Sequence, residues 1–219
     1  MIPLFAFPAV LVPILYALLG GVGGFVVAAI IGALLPSNAY HIAIFGSKGA
    51  GKSTLWEQLQ GIFADENYRP TVGIENVNQF TINYDGKEKV IAKSKDFGGG
   101  DDVVKYYGEV ITEGTFIYYL INLTSLEEFK RETRARIKAI GKIIEEKKLK
   151  NKVGLRLVAT NYKEFLKNNP GKDINYARAK LISVVGLKDV KDVEIEETVM
   201  VAELTDKQDI RQFFEQIVK

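Results

Sequence analysis

"IFGSKGAGKSTL", residues 44–55, decides the fold of this chain. Gly46, Gly51, Lys52 and Ser53 fit the pattern G-x-x-x-x-G-K-[ST]. The residues before it, "YHIAIF" (40–45), are apolar and partly β-branched and read as a buried strand. Those after it, "STLWEQLQGIF" (53–63), place Leu55, Leu59 and Ile62 at helical spacing. The loop therefore lies between strand and helix, the context in which the pattern has meaning. Gly46, Ser47, Lys48, Gly49, Ala50, Gly51, Lys52, Ser53 and Thr54 are then expected to present consecutive backbone N–H groups to an anion at a helix N-terminus. Lys52 is expected to reach the β- and γ-phosphates, and Ser53 to offer its hydroxyl to Mg²⁺. This loop alone specifies phosphate binding; it names neither the base nor the use of the energy.

Upstream of the loop, the first 39 of the 219 residues carry no charge. Pro3, Pro8 and Pro13 interrupt the first part, and residues 14–35 then run without proline or charge. At 1.5 Å per residue that stretch would span roughly 33 Å as a helix, about one hydrocarbon core. Pro13 suits a first helical turn and Pro36 a position just past the end. The reading is a membrane anchor over 1–39 with one transmembrane helix, and a globular domain over 40–219. Ser37 and Ala39 resemble a signal-peptide cleavage site, but no basic n-region precedes them and the apolar core is too long. A hairpin turning near Gly20–Gly24 would have short arms. Gly20, Gly24, Ala28 and Gly32 recur every four residues, a small-residue face on which such helices associate in lipid.

Composition closes off several chemistries. There is no cysteine, which excludes disulfides, zinc-thiolate sites and thiol nucleophiles. His41 is the only histidine, so a His-cluster metal site is excluded and a Ser-His triad is disfavoured. A net charge of +2 gives no reason to expect nucleic acid.

Three further stretches follow in a telling order: "YRPTVGIENV" (68–77), "DFGGG" (96–100) ending a second strand, and "VATNYKEF" (158–165) ending a third. With the loop, they resemble the ordered motifs of small GTPases of the Ras superfamily. The nearest likeness is to the ADP-ribosylation-factor-like members and to the signal-recognition-particle-receptor beta-like GTPases, the latter also with an N-terminal membrane helix. The resemblance covers about residues 40–219 and is strong in the first half. It implies a GTP/GDP site with Mg²⁺, slow hydrolysis and a protein effector or activating protein. Thr71 would be the switch threonine that binds Mg²⁺ and senses the γ-phosphate, Asp96 the aspartate that binds Mg²⁺ through water, and Gly99 the glycine whose N–H meets the γ-phosphate. A carboxylate at a strand end suits a hard cation, and a glycine lets backbone approach phosphate.

Two positions depart from that pattern. Gly100 stands where hydrolysing relatives carry a water-orienting glutamine, so hydrolysis is expected to be no faster than about 10⁻⁴ s⁻¹ unless a partner supplies the group. The base-reading motif N-K-x-D appears as Asn161-Tyr162-Lys163-Glu164. Asn161 is kept, Glu164 can still accept N–H bonds from guanine, and Tyr162 offers an aromatic face. Ala202 and Glu203 are expected in the last, weakest motif. Guanine is therefore the expected base, with ATP use the alternative.

The remaining chain alternates strands and helices. A hairpin over 74–84 and 88–95 turns at Asp85-Gly86. A helix is expected near 101–112, a strand at 115–122, a long helix at 125–149 capped by Ser125, a strand at 153–160, a helix at 174–185, a strand over 193–204 and a last helix capped by Asp206. The fold class is α/β: a mainly parallel six-stranded sheet with helices on both faces. Residues 130–152 hold ten Lys or Arg against three Glu. That run reads as a solvated helix face or as a patch toward acidic lipid. Two functions stay open: a nucleotide switch recruiting a partner at a membrane, and a receptor or assembly subunit holding GTP as a structural ligand.

Overall fold

A computed structural model describes residues 39–62, 71–185, 194–195 and 199–219. The expected span at 14–35 and its small-residue face lie outside these, as do residues 68–70 of the second motif. Among the described residues, no helix is long and apolar enough to cross a membrane.

The globular unit Tyr40–Lys219 is built on parallel strands. β1 (Ile42–Gly46) pairs with β6 (Phe116–Asn122), which pairs with β7 (Gly154–Thr160). Two short strands, β8 (Glu194–Ile195) and β9 (Met200–Val201), share the outer edge of β7. The period of two decides which side chains go where. Ala43 and Phe45 of β1, and Ile117, Tyr119 and Ile121 of β6, enter one core cluster. Ile42 and Ile44, and Tyr118 and Leu120, enter the other.

Helices cover both faces. On the first lie the 3₁₀ helix Asp101–Glu109, α2 (Lys130–Glu146), α3 (Tyr162–Lys167) and α4 (Ile174–Val185), which contribute Val103 and Tyr107, Ile137 and Ile140, Phe165, and Leu181. On the second lie α1 (Lys52–Leu59) and α5 (Lys207–Val218), through Leu55 and Trp56, and Ile210 and Phe213. Asp206 caps α5, its side chain accepting from the Gln208 N–H, as expected.

The sheet differs from the six strands expected. The hairpin forms two separate antiparallel pairs: β2 (Ile74–Val77) with β5 (Ser94–Phe97), and β3 (Phe80–Tyr84) with β4 (Lys87–Ile91). Their register nonetheless runs on, with Val77 opposite Ser94 and Phe80 opposite Ile91. The other edge of the hairpin's second strand bonds the chain around β1. Tyr40 donates to the Val90 carbonyl at 2.8 Å, and the Ala92 N–H donates back to the Tyr40 carbonyl at 3.0 Å. Ser94 Oγ donates to the Ile42 carbonyl at 2.9 Å. The Asp85-Gly86 turn has both residues at positive φ, 51° and 72°, as a two-residue hairpin requires.

Two helices are corrected. The segment after Gly100 is a 3₁₀ helix ending at Glu109. Ser125 does not cap a long helix: the Asn122 side chain accepts from the Thr124 N–H at 2.9 Å, which tightens 123–125 into a 3₁₀ turn, and α2 starts at Lys130. Of the strand expected over 193–204, only β8 and β9 are described.

Candidate functional site

The loop between β1 and α1 is shaped by what its carbonyls bond. The Gly46 carbonyl accepts from Arg136 Nη1 at 2.9 Å, and that of Ser47 from Lys52 Nζ at 2.9 Å. The Gly49 carbonyl accepts from Asn122 Nδ2 at 3.3 Å, that of Ala50 from Thr160 Oγ1 at 3.1 Å, and that of Gly51 from the Leu55 N–H at 2.9 Å. Every peptide among the described residues is trans, and a trans peptide points its N–H opposite its carbonyl. The N–H groups of Ser47, Lys48, Gly51 and Lys52 are thereby turned away from these partners, a nest for an anion. Gly46 is required for close approach: a Cβ there would fall on the Leu120 carbonyl oxygen of β6.

Lys52 is buried at the start of α1. Burial lowers its pKa to about 8; Asp96 and Glu132 oppose that shift and Arg136 adds to it. Keeping an ammonium here costs stability in the protein alone, a cost usual where a charge is placed for a ligand.

Three oxygens converge beside it. Ser53 Oγ lies 2.6 Å from Thr71 Oγ1 and 2.6 Å from Asp96 Oδ2, and Thr71 Oγ1 lies 3.0 Å from the same Asp96 oxygen. The residues come from α1, the segment before β2, and β5, so the fold assembles what the sequence scatters over 43 positions. Asp96 Oδ1 is buried without a hydrogen-bond partner, an atom that asks for a ligand. The donor set is hard and oxygen-only, and it fits Mg²⁺, which takes few protein ligands and completes its shell with water and phosphate. Among the described residues no group of three His, Cys, Asp or Glu could hold a metal, so a cation here depends on the hydroxyls.

Thr71 and "DFGGG" lie side by side at the site. The Gly98 N–H donates to the Gly73 carbonyl at 2.7 Å, tying the two segments together. Gly99 lies so close to Lys48 that a Cβ on it would fall on the Lys48 backbone. The cleft they enclose measures about 450 Å³ and is walled by Lys48, Lys52, Ser53, Thr71, Gly99 and Asp102 among others.

Sequence reasoning missed one residue here. Arg136 sits in the basic run of α2, yet its side chain is 2% exposed. Besides Gly46 it holds the Gly99 carbonyl through Nη2 at 2.7 Å and Asp101 Oδ1 at 3.0 Å, with Glu132 Oε1 at 2.8 Å. Its pKa is raised: burial opposes the charge, and Tyr107, Asp101 and Glu132 outweigh it. Burial pushes Glu132 up despite Arg136, and pushes Tyr107 up to about 12. Tyr107 in turn stacks on Phe45 at 3.9 Å between centroids, fixing the 3₁₀ helix against β1. The signal that could have found Arg136 is its place on the apolar face of α2, one residue before Ile137 and four before Ile140. Other cations of the run are engaged locally: Arg134 Nε donates to the Val184 carbonyl at 2.8 Å, Lys147 to that of Ile111 at 3.0 Å, and Lys152 pairs with Glu113 at 3.0 Å.

The residues expected to read a base are less closely gathered. Asn161 follows the end of β7 with φ 54° and starts α3. Its neighbour Thr160 bonds the phosphate loop, which places Asn161 beside it. Ala202 is fully buried, its N–H donating to the Ala159 carbonyl at 2.9 Å, and Leu204 packs where a Cβ on Gly51 would fall. Glu164 is exposed and directed along its helix, accepting from Asn168 Nδ2 at 3.3 Å and 3.5 Å from Lys167 Nζ. Lys163 pairs with Asp206 at 2.6 Å. Asn161, Glu164 and Ala202 are not among the walls of the 450 Å³ cleft.

No protein-family model and no curated protein matches this chain. Among solved structures it is similar to that of the Arl6 BBS3 small GTPase from Trypanosoma brucei with bound nucleotide analogue GppNp. The identity is 14%, the TM-score 0.55, and the match covers 82% of this chain and 95% of that one. The likeness is one of fold: this α/β unit has the architecture of a small G domain.

Proposed function

We propose that the chain is a GTP-binding protein that acts as a nucleotide-dependent switch at a membrane. The observation that carries this is the meeting of Ser53, Thr71 and Asp96 within 3.0 Å of one another beside a buried Lys52. Lys52 and the outward N–H groups of the loop bind the β- and γ-phosphates. Ser53, Thr71 and Asp96 would hold a Mg²⁺, whose chemistry would be to neutralise charge on the phosphate oxygens. Thr71 and Gly99 then order their two segments on the γ-phosphate, and loss of that phosphate releases them. The neighbour's bound GTP analogue and the Asn161 position favour guanine. Residues 14–35 hold the domain at a bilayer, supported by their apolar length, and a protein partner reads the ordered segments. The small-residue face at Gly20, Gly24, Ala28 and Gly32 offers self-association within the bilayer.

Calorimetric titration of the full chain in detergent, with Mg²⁺, against GTP and ATP tests the core of this reading. GTP uptake with ATP excluded is the expected result. ATP uptake in preference to GTP would make it an ATP-using protein, and no uptake of either would end the proposal.

Gly100 favours a second reading, a receptor or assembly subunit in which GTP is a structural ligand. Partner capture with a GTP analogue and with GDP separates the two: equal capture removes the switch.

A further inference from the structure

The Gly100 that breaks the sequence pattern stands next to a group the pattern does not contain. Gly100 is extended, with φ −74° and ψ 159°, and any residue can adopt that conformation. A Cβ built on it would fall on the carboxylate oxygen Oδ1 of Asp102. The space into which a side chain at position 100 would grow is therefore occupied by a carboxylate reaching back from two residues on. Asp102 is a wall of the same cleft as Lys48, Lys52, Ser53, Thr71 and Gly99. The backbone on either side of Gly100 is held by Arg136, which bonds the Gly99 carbonyl at 2.7 Å and the Asp101 side chain at 3.0 Å; the Asp102 side chain itself is exposed.

We propose that Asp102 supplies the water-orienting and proton-accepting group that Gly100 lacks, which makes it a catalytic residue for nucleoside triphosphate hydrolysis. This rests on the nucleotide-binding reading above. A side-chain amide orients water, and a carboxylate does so as an acceptor and takes up its proton as well. In the step, the water oxygen bonds to the γ-phosphorus. The bond from that phosphorus to the β–γ bridging oxygen breaks, and its electron pair leaves on the nucleoside diphosphate. The water's proton passes to the Asp102 carboxylate and from there to the released phosphate. Glycine at 100 leaves that space to the Asp102 carboxylate, which a larger residue would push aside.

The simpler role for Asp102 is an acidic residue in the first turn of a helix, favourable there to the backbone dipole. That role affects stability and leaves the chemistry alone. The two part in single-turnover hydrolysis of GTP with Mg²⁺, measured on the full chain in detergent alongside the dissociation constant in the same samples. Asp102→Asn is expected to lower the single-turnover rate by about 10²-fold or more, the usual worth of a general base, while nucleotide affinity stays within about threefold. Asp102→Glu is expected to recover part of the rate. Wild-type turnover in Asp102→Asn, or nucleotide held by the wild type without any turnover, overturns the proposal. If the titration shows no binding at all, the nucleotide reading has failed, and this proposal fails with it.

Discussion

Arg136 joins the two halves of the site: one guanidinium nitrogen holds the Gly46 carbonyl at 2.9 Å and the other the Gly99 carbonyl at 2.7 Å. The phosphate loop and the glycine segment facing it are thus spaced by a single planar group. Asp101 and Glu132 keep that group charged. A fork of donors suits the task where a point charge would not, since the two carbonyls lie on different segments.

Removing that fork exposes its partners' needs. Arg136→Ala leaves two carbonyls and a partly buried Glu132 without their cation, and is expected to cost about 2–4 kcal/mol of stability. Arg136→Lys is expected to fall in between, and to weaken nucleotide binding, because one ammonium cannot fix both segments. Urea denaturation followed by circular dichroism measures the first, titration the second. Stability equal to wild type in Arg136→Ala would mean that the clamp carries no load.

The oxygen trio has its own signature. Ser53→Ala and Thr71→Ala remove hydroxyls from the proposed cation shell while leaving Lys52 and the loop amides. Both are expected to lose most of the difference in GTP affinity between Mg²⁺ and EDTA buffers, Thr71→Ala more for a GTP analogue than for GDP. Unchanged Mg²⁺ dependence in both variants would remove the cation from these residues.

Acidity acts through Lys52. In the protein alone its pKa is lowered to about 8 by burial; a triphosphate beside it raises that value. The electrostatic part of binding is therefore complete below pH 8 and is lost as pH rises above it. At pH 8.5 about 0.8 proton is expected to be taken up per nucleotide bound, by linkage from a free pKa near 8. Calorimetry in buffers of different ionisation heat reads this directly, and zero uptake at that pH contradicts the assignment. The same burial sets the sign for folding. Below pH 8 the ammonium opposes folding, and the opposition fades between pH 8 and 10.5. Lys52→Met is expected to abolish nucleotide binding and to raise the melting temperature at pH 7, by at most about 3 kcal/mol of stability at 1.36 kcal/mol per unit.

Gly46→Ala tests the fit of the loop to the sheet. Its methyl group would meet the Leu120 carbonyl, a backbone atom in the middle of the core that cannot move aside. A loss of about 1–3 kcal/mol is expected, with weaker nucleotide binding. Wild-type melting in this variant would contradict the packing.

How much of this could be read from residues alone follows from the range of each interaction. The phosphate loop was legible because strand, glycines, lysine and helix are adjacent in sequence. The strands β1 and β6 were legible for the same reason, as unbroken apolar runs. Asp96 and Thr71 came from order and spacing, and the fold then brought their oxygens together. Arg136 was hidden because its partner Gly46 is 90 residues away and its neighbours make it look like one more surface cation. The pairing of Tyr40 with Val90 and Ala92 was invisible for a similar reason: it spans some fifty positions, and no local rule reports it. At Asn122 local chemistry was present but misread. A strand-end asparagine caps the next turn with its oxygen and holds the Gly49 carbonyl with its nitrogen. The base-reading end stayed the least legible, because Glu164 is longer than the residue it replaces and lies along its own helix.

The loop's carbonyls carry a last implication. Those of Gly49 and Ala50 are fastened by an amide and a hydroxyl, Asn122 and Thr160, groups that do not titrate. The positive lip formed there by oriented peptide dipoles is therefore preset: its orientation does not depend on the protonation of these two partners. Lys52, its pKa lowered to about 8, adds an acid–base dial to that lip, so the proposed grip on a polyanion is tunable with the peptide dipoles of the cradle unchanged.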